Sequence, residues 1–326
     1  MPNRIMVPLD GSAFAETALP IAYDLARQHD AGVHLVRVHQ PPIPVARSGG
    51  VAAYDPAFDL DLEREGRWYL DVLLGRIEAH ERARSATAHP HGRVLQSLTE
   101  YIQHQGIDLV VMTTHARGGV SRMWLGSVAD GLIRHAAVPV LLLRPGRQAS
   151  PTSGPGPMFR RVLIPVDGGP MEKDMVEHAI ALAGMSGVEY MLLRVVTEGA
   201  LSVGPALPHR GADAGSRTQR ATVQTTLDLQ AESLRARGVT VRPQVIVNDD
   251  PAEGILRYAA EHDVDLIAMA TRSRGGLERL LLGSVADRVL RQAGIPLLLR
   301  NPGQLPVGMH AEGPVLLLGT PAPAAL

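Results

Sequence analysis

Cysteine is absent from the 326 residues, which excludes disulfides and thiolate-bound metals and suits a cytoplasmic protein. Aromatic residues make up 3% of the chain, so its cores have to be built from Val, Leu, Ile, Ala and Met. No stretch reaches the roughly eighteen uninterrupted apolar residues of a membrane helix. The opening MPNRIMVPLD lacks the apolar run of a secretion signal. Charge of one sign is lacking too: a net −1 with 13 histidines gives no general pull toward nucleic acid or an anionic membrane. These absences predict a soluble cytoplasmic protein with neither nucleic acid nor membrane as a partner. What is present is an ordinary globular composition, 45% hydrophobic and 20% charged, at a length that suits two domains better than one core.

The chain says the same thing twice. RGGVSRMWLGSVAD (117–130) and RGGLERLLLGSVAD (274–287) agree at ten of fourteen positions. RIMVPLDGS (4–12) matches RVLIPVDGG (161–169), and IDLVVMTTHARGG (107–119) matches VDLIAMATRSRGG (264–276). One offset of 157 relates Pro8 to Pro165, Asp10 to Asp167, Asp108 to Asp265, Gly126 to Gly283 and Pro139 to Pro296. Self-similarity at a fixed distance means two copies of one unit in tandem. The stretch 144–158, rich in Pro, Gly and Ser without apolar periodicity, separates them. The expected boundaries are a first domain over 1–146, a linker over 147–158, a second domain over 159–303 and a tail over 304–326. In the tail, VLLL (315–318) has the pattern of an added edge strand.

Within each copy, short apolar runs alternate with helical periodicity. In the first, RIMVPL, VHLVRVH (33–39), RSATAH (84–89), LVVMTT (109–114) and VPVLLLR (138–144) read as strands. Helices are expected over 13–26 with a kink at Pro20, around 60–82, over 93–105 and over 127–136. Such alternation implies α/β architecture: two tandem doubly wound domains, each with a parallel sheet of five strands and right-handed crossovers. The second copy follows the same plan with a more flexible loop over 197–218.

Open sheets of this kind hold ligands beyond the carboxyl ends of their strands, where the strand order reverses. With an order of 3-2-1-4-5, that place lies between strands 1 and 4. Strand 1 leads there through Pro8, Leu9 and Asp10, or Pro165, Val166 and Asp167. Strand 4 leads there through Met112, Thr113, His115, Ala116 and Arg117, or Met269, Ala270, Ser273 and Arg274. The last helix opens on Gly126, Ser127 and Val128, or on Gly283, Ser284 and Val285. A helix mouth presents unpaired N–H groups and partial positive charge, so phosphate is the natural guest. Arg117 or Arg274 could add a full charge, Asp10 or Asp167 could hold a ribose hydroxyl or adenine edge, and Val38 or Val195 could form an apolar wall. A second reading stands beside it: Ser127 with Asp130, and Ser284 with Asp287, have the S-x-x-D spacing of capping boxes that start a helix with no ligand. The two roles are compatible.

With VPLDGS and IPVDGG on strand 1, LVRV and LLRV on strand 2, and RGG…LGSVAD before VPV or IPL, the chain resembles the universal stress protein family over 3–144 and 160–300. The resemblance implies a Rossmann-like domain of the adenine nucleotide alpha hydrolase type with strand order 3-2-1-4-5. It also implies ATP, with Mg, bound through G-x-x-G-x9-G-[ST], and pairing through the last strand. In a tandem chain the two halves would pair strand 5 to strand 5, with a homodimer of the whole chain as a further step. The end of the ATP signature is intact at Gly126-Ser127 and Gly283-Ser284. Its first two glycines are replaced by Thr113 and Ala116 in one copy and by Ala270 and Ser273 in the other. The replacements are small, which implies weakened binding, and Ala270 intrudes less than Thr113, which favours the second half. His115 aligns with a family histidine near the nucleotide, whereas the second half has Arg272 there.

Other chemistry is thinly represented. His89-Pro90-His91, with His104, His115 and His135, invites a metal, but no carboxylate or cysteine spacing completes a ligand set, so no metal is expected. GxxxxGK[ST], GxSxG and HExxH are all missing, and no catalytic base stands out, so an enzyme is not expected beyond slow ATP turnover. Two functions follow: a regulator responding to adenine nucleotide, or a nucleotide-free interaction scaffold built as an intramolecular pseudo-dimer. The sequence names no protein partner.

Overall fold

A computed structural model describes residues 1–42, 54–114, 126–144, 156–169, 172–197, 212–271 and 282–301. His115, Ala116, Arg117, Ser273, Arg274, most of the linker and the tail run at 315–318 lie outside the described residues.

The first half runs β1 (Arg4–Pro8), α1 (Ala13–Glu16), α2 (Leu19–His29), β2 (Gly32–Val36), α3 (Pro56–Arg76), α4 (Ala79–Arg82), β3 (Ser85–Ala88), α5 (Val94–Gln105), β4 (Leu109–Thr113), α6 (Ser127–His135) and β5 (Val140–Leu143). The second runs β6 (Arg161–Pro165), α7 (Glu172–Ala183), β7 (Glu189–Val196), α8 (Ala212–Arg235), β8 (Thr240–Val247), α9 (Pro251–Glu261), β9 (Leu266–Ala270), α10 (Ser284–Gln292) and β10 (Leu297–Arg300). All strands join one ten-stranded sheet in the order β3-β2-β1-β4-β5-β10-β9-β6-β7-β8. Each half therefore has the order 3-2-1-4-5. Pairing within a half is parallel; β5 and β10 are antiparallel, with Leu141 opposite Leu298.

Central strands buried on both faces need apolar side chains throughout, and β4 (LVVMT) is buried at every position. Alternate residues feed two layers. Ile5, Val7, Leu109, Val111 and Leu141 face one with α2, α3, α7 and α8; Met6, Val110, Met112, Val140 and Leu142 face the other with α5, α6, α9 and α10. At the sheet edges β3 has four residues and β8 carries Pro243, a residue that edge strands tolerate because one side of the ladder is unpaired.

Three helices differ from expectation, and one of them, α8, begins at Ala212, inside the loop expected over 197–218. The segment 13–26 is two helices, α1 and α2, with Pro20 in the first turn of α2 instead of kinking a single helix. A proline ring collides with the carbonyl four residues back; that residue is Glu16, where α1 ends. The charged helix around 60–82 begins earlier, at Pro56 after the N-cap Asp55, and breaks at extended Ile77 before the short α4.

Candidate functional site

β1 and β4 are neighbours, as are β6 and β9, so their carboxyl ends open one crevice per half. Past β1, Leu9 is buried and its N–H donates to Val36 O at 2.8 Å; Val166 repeats this to Leu193 O at 2.9 Å. The chain then turns sharply. Asp10 Oδ1 accepts from the Ser12 amide at 2.9 Å, and Gly11 takes φ +86° with the Arg37 guanidinium 3.4 Å from where a Cβ would stand. In the second half Asp167 Oδ1 accepts from the Gly169 amide at 2.9 Å, beside Gly168 at φ +77°. Both aspartates thus stabilise their own turn at the crevice mouth.

The two halves diverge at the end of strand 4. Thr113 is 7% exposed, and its hydroxyl donates to Phe14 O at 3.1 Å, tying β4 to the last turn of α1. Ala270, its counterpart, has no hydroxyl and stays half-buried. Beyond Ala270, Thr271 O accepts the Gly283 amide at 2.8 Å, which brings the end of β9 against the mouth of α10.

The mouths of α6 and α10 correct the capping-box reading. Gly126 (φ −62°, ψ 151°) and Gly283 (φ −59°, ψ 144°) are the N-caps, and neither helix has a side-chain cap hydrogen bond. Ser127 and Ser284 are exposed one position inside the helix, too far along to act as caps. Asp130 and Asp287 accept from Arg134 and Arg291, both at 2.8 Å, in i,i+4 pairs. The amides of 127–129 and 284–286 precede the first intrahelical bonds, which run from Asp130 N to Gly126 O and from Asp287 N to Gly283 O at 2.9 and 2.8 Å. Gly126 has a backbone conformation any residue adopts, and a Cβ there would meet no described atom within 4 Å. Packing among the described residues gives no reason for a glycine at that point.

The apolar site candidates of the two halves pack on one core layer. Val38 and Val128, with buried Met112, pack on the same layer as Val195, Val285 and Met269 do in the second half. Pro8 and Pro165 close β1 and β6. Val38 lies just past β2, whereas Val195 is within the longer β7. His89 and His91 meet His39 at the ends of β2 and β3, away from His104 and His135 in the last turns of α5 and α6. Sequence spacing missed His39 because it approaches from another strand.

This is a Rossmann-like α/β protein in tandem, with two glycine-led helix mouths facing two crevices. The pattern of the universal stress protein family matches residues 1–144 and again 158–299, and the chain belongs to that family. Universal stress protein MT2052 of Mycobacterium tuberculosis is 27% identical over 331 residues, covering 93% of this chain and 96% of that one. Universal stress protein Rv2005c of the same species is 29% identical over 191 residues, 59% of this chain, and the chain spans 61% of that protein's length. The crystal structure of a universal stress protein from Archaeoglobus fulgidus superposes with a TM-score of 0.65 at 18% identity, covering 92% of this chain and 96% of that chain. Among the described residues no helix is long and apolar enough to cross a membrane.

Proposed function

We propose that the chain is a regulatory universal stress protein that takes an adenine nucleotide, ATP with Mg, in the crevice of its second half. The uncapped mouth of α10 carries this reading. Its first-turn amides, Gly283 held to the end of β9 and exposed Ser284 form an anion-binding edge with no side-chain cap hydrogen bond among the described residues. Asp167 stands where a ribose or adenine edge would be held, and Val195 and Val285 offer the apolar wall. When bound, the nucleotide supplies the charge and bulk that would bias contacts with a partner. The first half has the same helix mouth, but the Thr113 hydroxyl clasps Phe14 across the crevice. That clasp favours a single site per chain and a scaffolding role for the first half.

Titration calorimetry with Mg-ATP tests this. One site per chain is expected, with Gly283→Arg weakening it at least about 100-fold, some 2.7 kcal/mol, and Gly126→Arg leaving it unchanged. Thr113→Ala should open a second site. No heat at millimolar nucleotide would leave the nucleotide-free scaffold as the function, and loss of binding in Gly126→Arg alone would place the site in the other half.

A further inference from the structure

One dense side-chain group lies outside the crevices. His39, 4% exposed just past β2, packs against His89 and His91, which follow β3. Ring centroids lie 5.7 Å apart for His39 and His89, 4.8 Å for His39 and His91, and 6.1 Å for His89 and His91. α3 faces them with carboxylates: His39 Nε2 donates to Asp59 at 2.9 Å and His91 Nε2 to Glu63 at 3.2 Å. Tyr54 also donates to Asp59, and Arg67 to Glu63 at 2.6 Å; Arg37 supplies positive charge from the β2 side. Among the described residues no such carboxylate meets His89 and its buried Nδ1 has no hydrogen-bond partner; its Nε2 would lie 2.3 Å from a Cβ on Gly66 of α3. Among the described residues no three such groups are placed to hold a metal ion.

The second half is an internal control. At the offset of 157, His39, His89, His91 and Gly66 become Val196, Ile246, Asn248 and Val223, and the first two of these pack on the apolar layers. The fold needs no imidazole at these positions.

We propose that His39, His89 and His91 form an acid-sensitive latch that docks α3 on the ends of β2 and β3 while His89 is neutral and releases it when His89 is protonated. Burial, followed by the positive charges of His39, Arg37, His91 and Arg67, pushes His89 down to about 4. Once released, the ring titrates near its ordinary value of about 6.5. Between these limits the released state binds more protons than the docked state, so docking is fully favoured above about pH 6.5 and weakens as pH falls toward 4. Hydrogen bonds from Tyr54 and His39 hold Asp59, and those from Arg67 and His91 hold Glu63, below the usual carboxylate range. Release of α3 would uncover Leu70 and Leu73, which it buries against the sheet.

Hydrogen exchange of the full chain between pH 6.5 and 4.5, corrected for intrinsic rates, tests the latch. Opening of 56–76 should rise by up to about tenfold per pH unit, the limit for one proton, while 220–235 of α8 should not respond. His89→Ile, which copies the second half, and His89→Gln should both remove the response. An equal response in the two helices, or an unchanged one in both variants, would overturn the proposal. So would an NMR titration of the native chain in which His89 is half-protonated above pH 6.

Discussion

Glycine inside a helix costs about 1 kcal/mol relative to alanine, yet Gly66 sits in the middle of α3. The structural cause is the His89 ring, which leaves a Cβ no room: its Nε2 and Cε1 would be 2.3 and 2.5 Å away. Gly66→Ala should therefore destabilise the native chain, whereas in a His89→Ala background it should stabilise by up to about 1 kcal/mol through helix propensity. Denaturant melts of the four proteins give the coupling energy, and strictly additive effects would show that the ring does not press on α3. The sequence drew attention to His89 and His91 but not to this arrangement. His39, Asp59, Glu63 and Gly66 converge from a strand end and a helix, and no spacing announces that. Thr113 and Ala270 were legible, because the motif spacing fixes their place. Thr113's acceptor was not, because the Phe14 carbonyl is backbone oxygen at a helix end and leaves no mark on residue type.

Helix termini were the least legible elements. S-x-x-D reads as a capping box only if serine is the N-cap; here Gly126 and Gly283 take that position, and each aspartate falls one residue too late and pairs with arginine instead. Pro20 misled in the same way, since a stop signal for α1 and a start signal for α2 can occupy neighbouring positions. Both readings of Pro20 predict a measurable sign. In a continuous kinked helix, Pro20→Ala would stabilise by about 3 kcal/mol. In the first turn of α2 the missing N–H has no partner to lose, so the substitution should be neutral or cost up to about 1 kcal/mol by loosening the unfolded chain. Thermal or denaturant melts distinguish these outcomes, and a large gain would contradict the break between Glu16 and Leu19. The strands were easier to read: β4, buried at every position, runs over 109–113 against an expected 109–114, whereas β2 ends at Val36, short of the expected 39.

At the scale of the whole molecule, the repeat offset foretold two like domains and the family resemblance implied their strand order, whereas the contacts that join them depend on side chains the repeat does not share. Arg144, 7% exposed, donates to Thr114 Oγ1 at 3.0 Å and to the Leu290 carbonyl at the end of α10. Burial draws its guanidinium down to about 10, still charged at neutral pH. The equivalent residue is Asn301, which donates to the Arg134 carbonyl at the end of α6. Each half thus satisfies carbonyls at the last helix of the other. On the opposite face His29 meets the Leu182 carbonyl at 2.8 Å and Gln28 the Ala183 carbonyl at 3.4 Å, joining α2 to α7. Both apolar layers run through β5 and β10 without interruption. Opening one half would strip the other of a sheet neighbour and of core contacts in both layers. The chain should therefore unfold in one thermal transition with matching calorimetric and van't Hoff enthalpies, despite exceeding the size at which two-state behaviour is usual. Arg144→Ala should lower that transition, at a cost of about 1–3 kcal/mol for the carbonyl and hydroxyl left without their donor, and should not split it. Two resolved transitions in the native chain would mean that the halves fold independently and that the shared sheet adds little to stability.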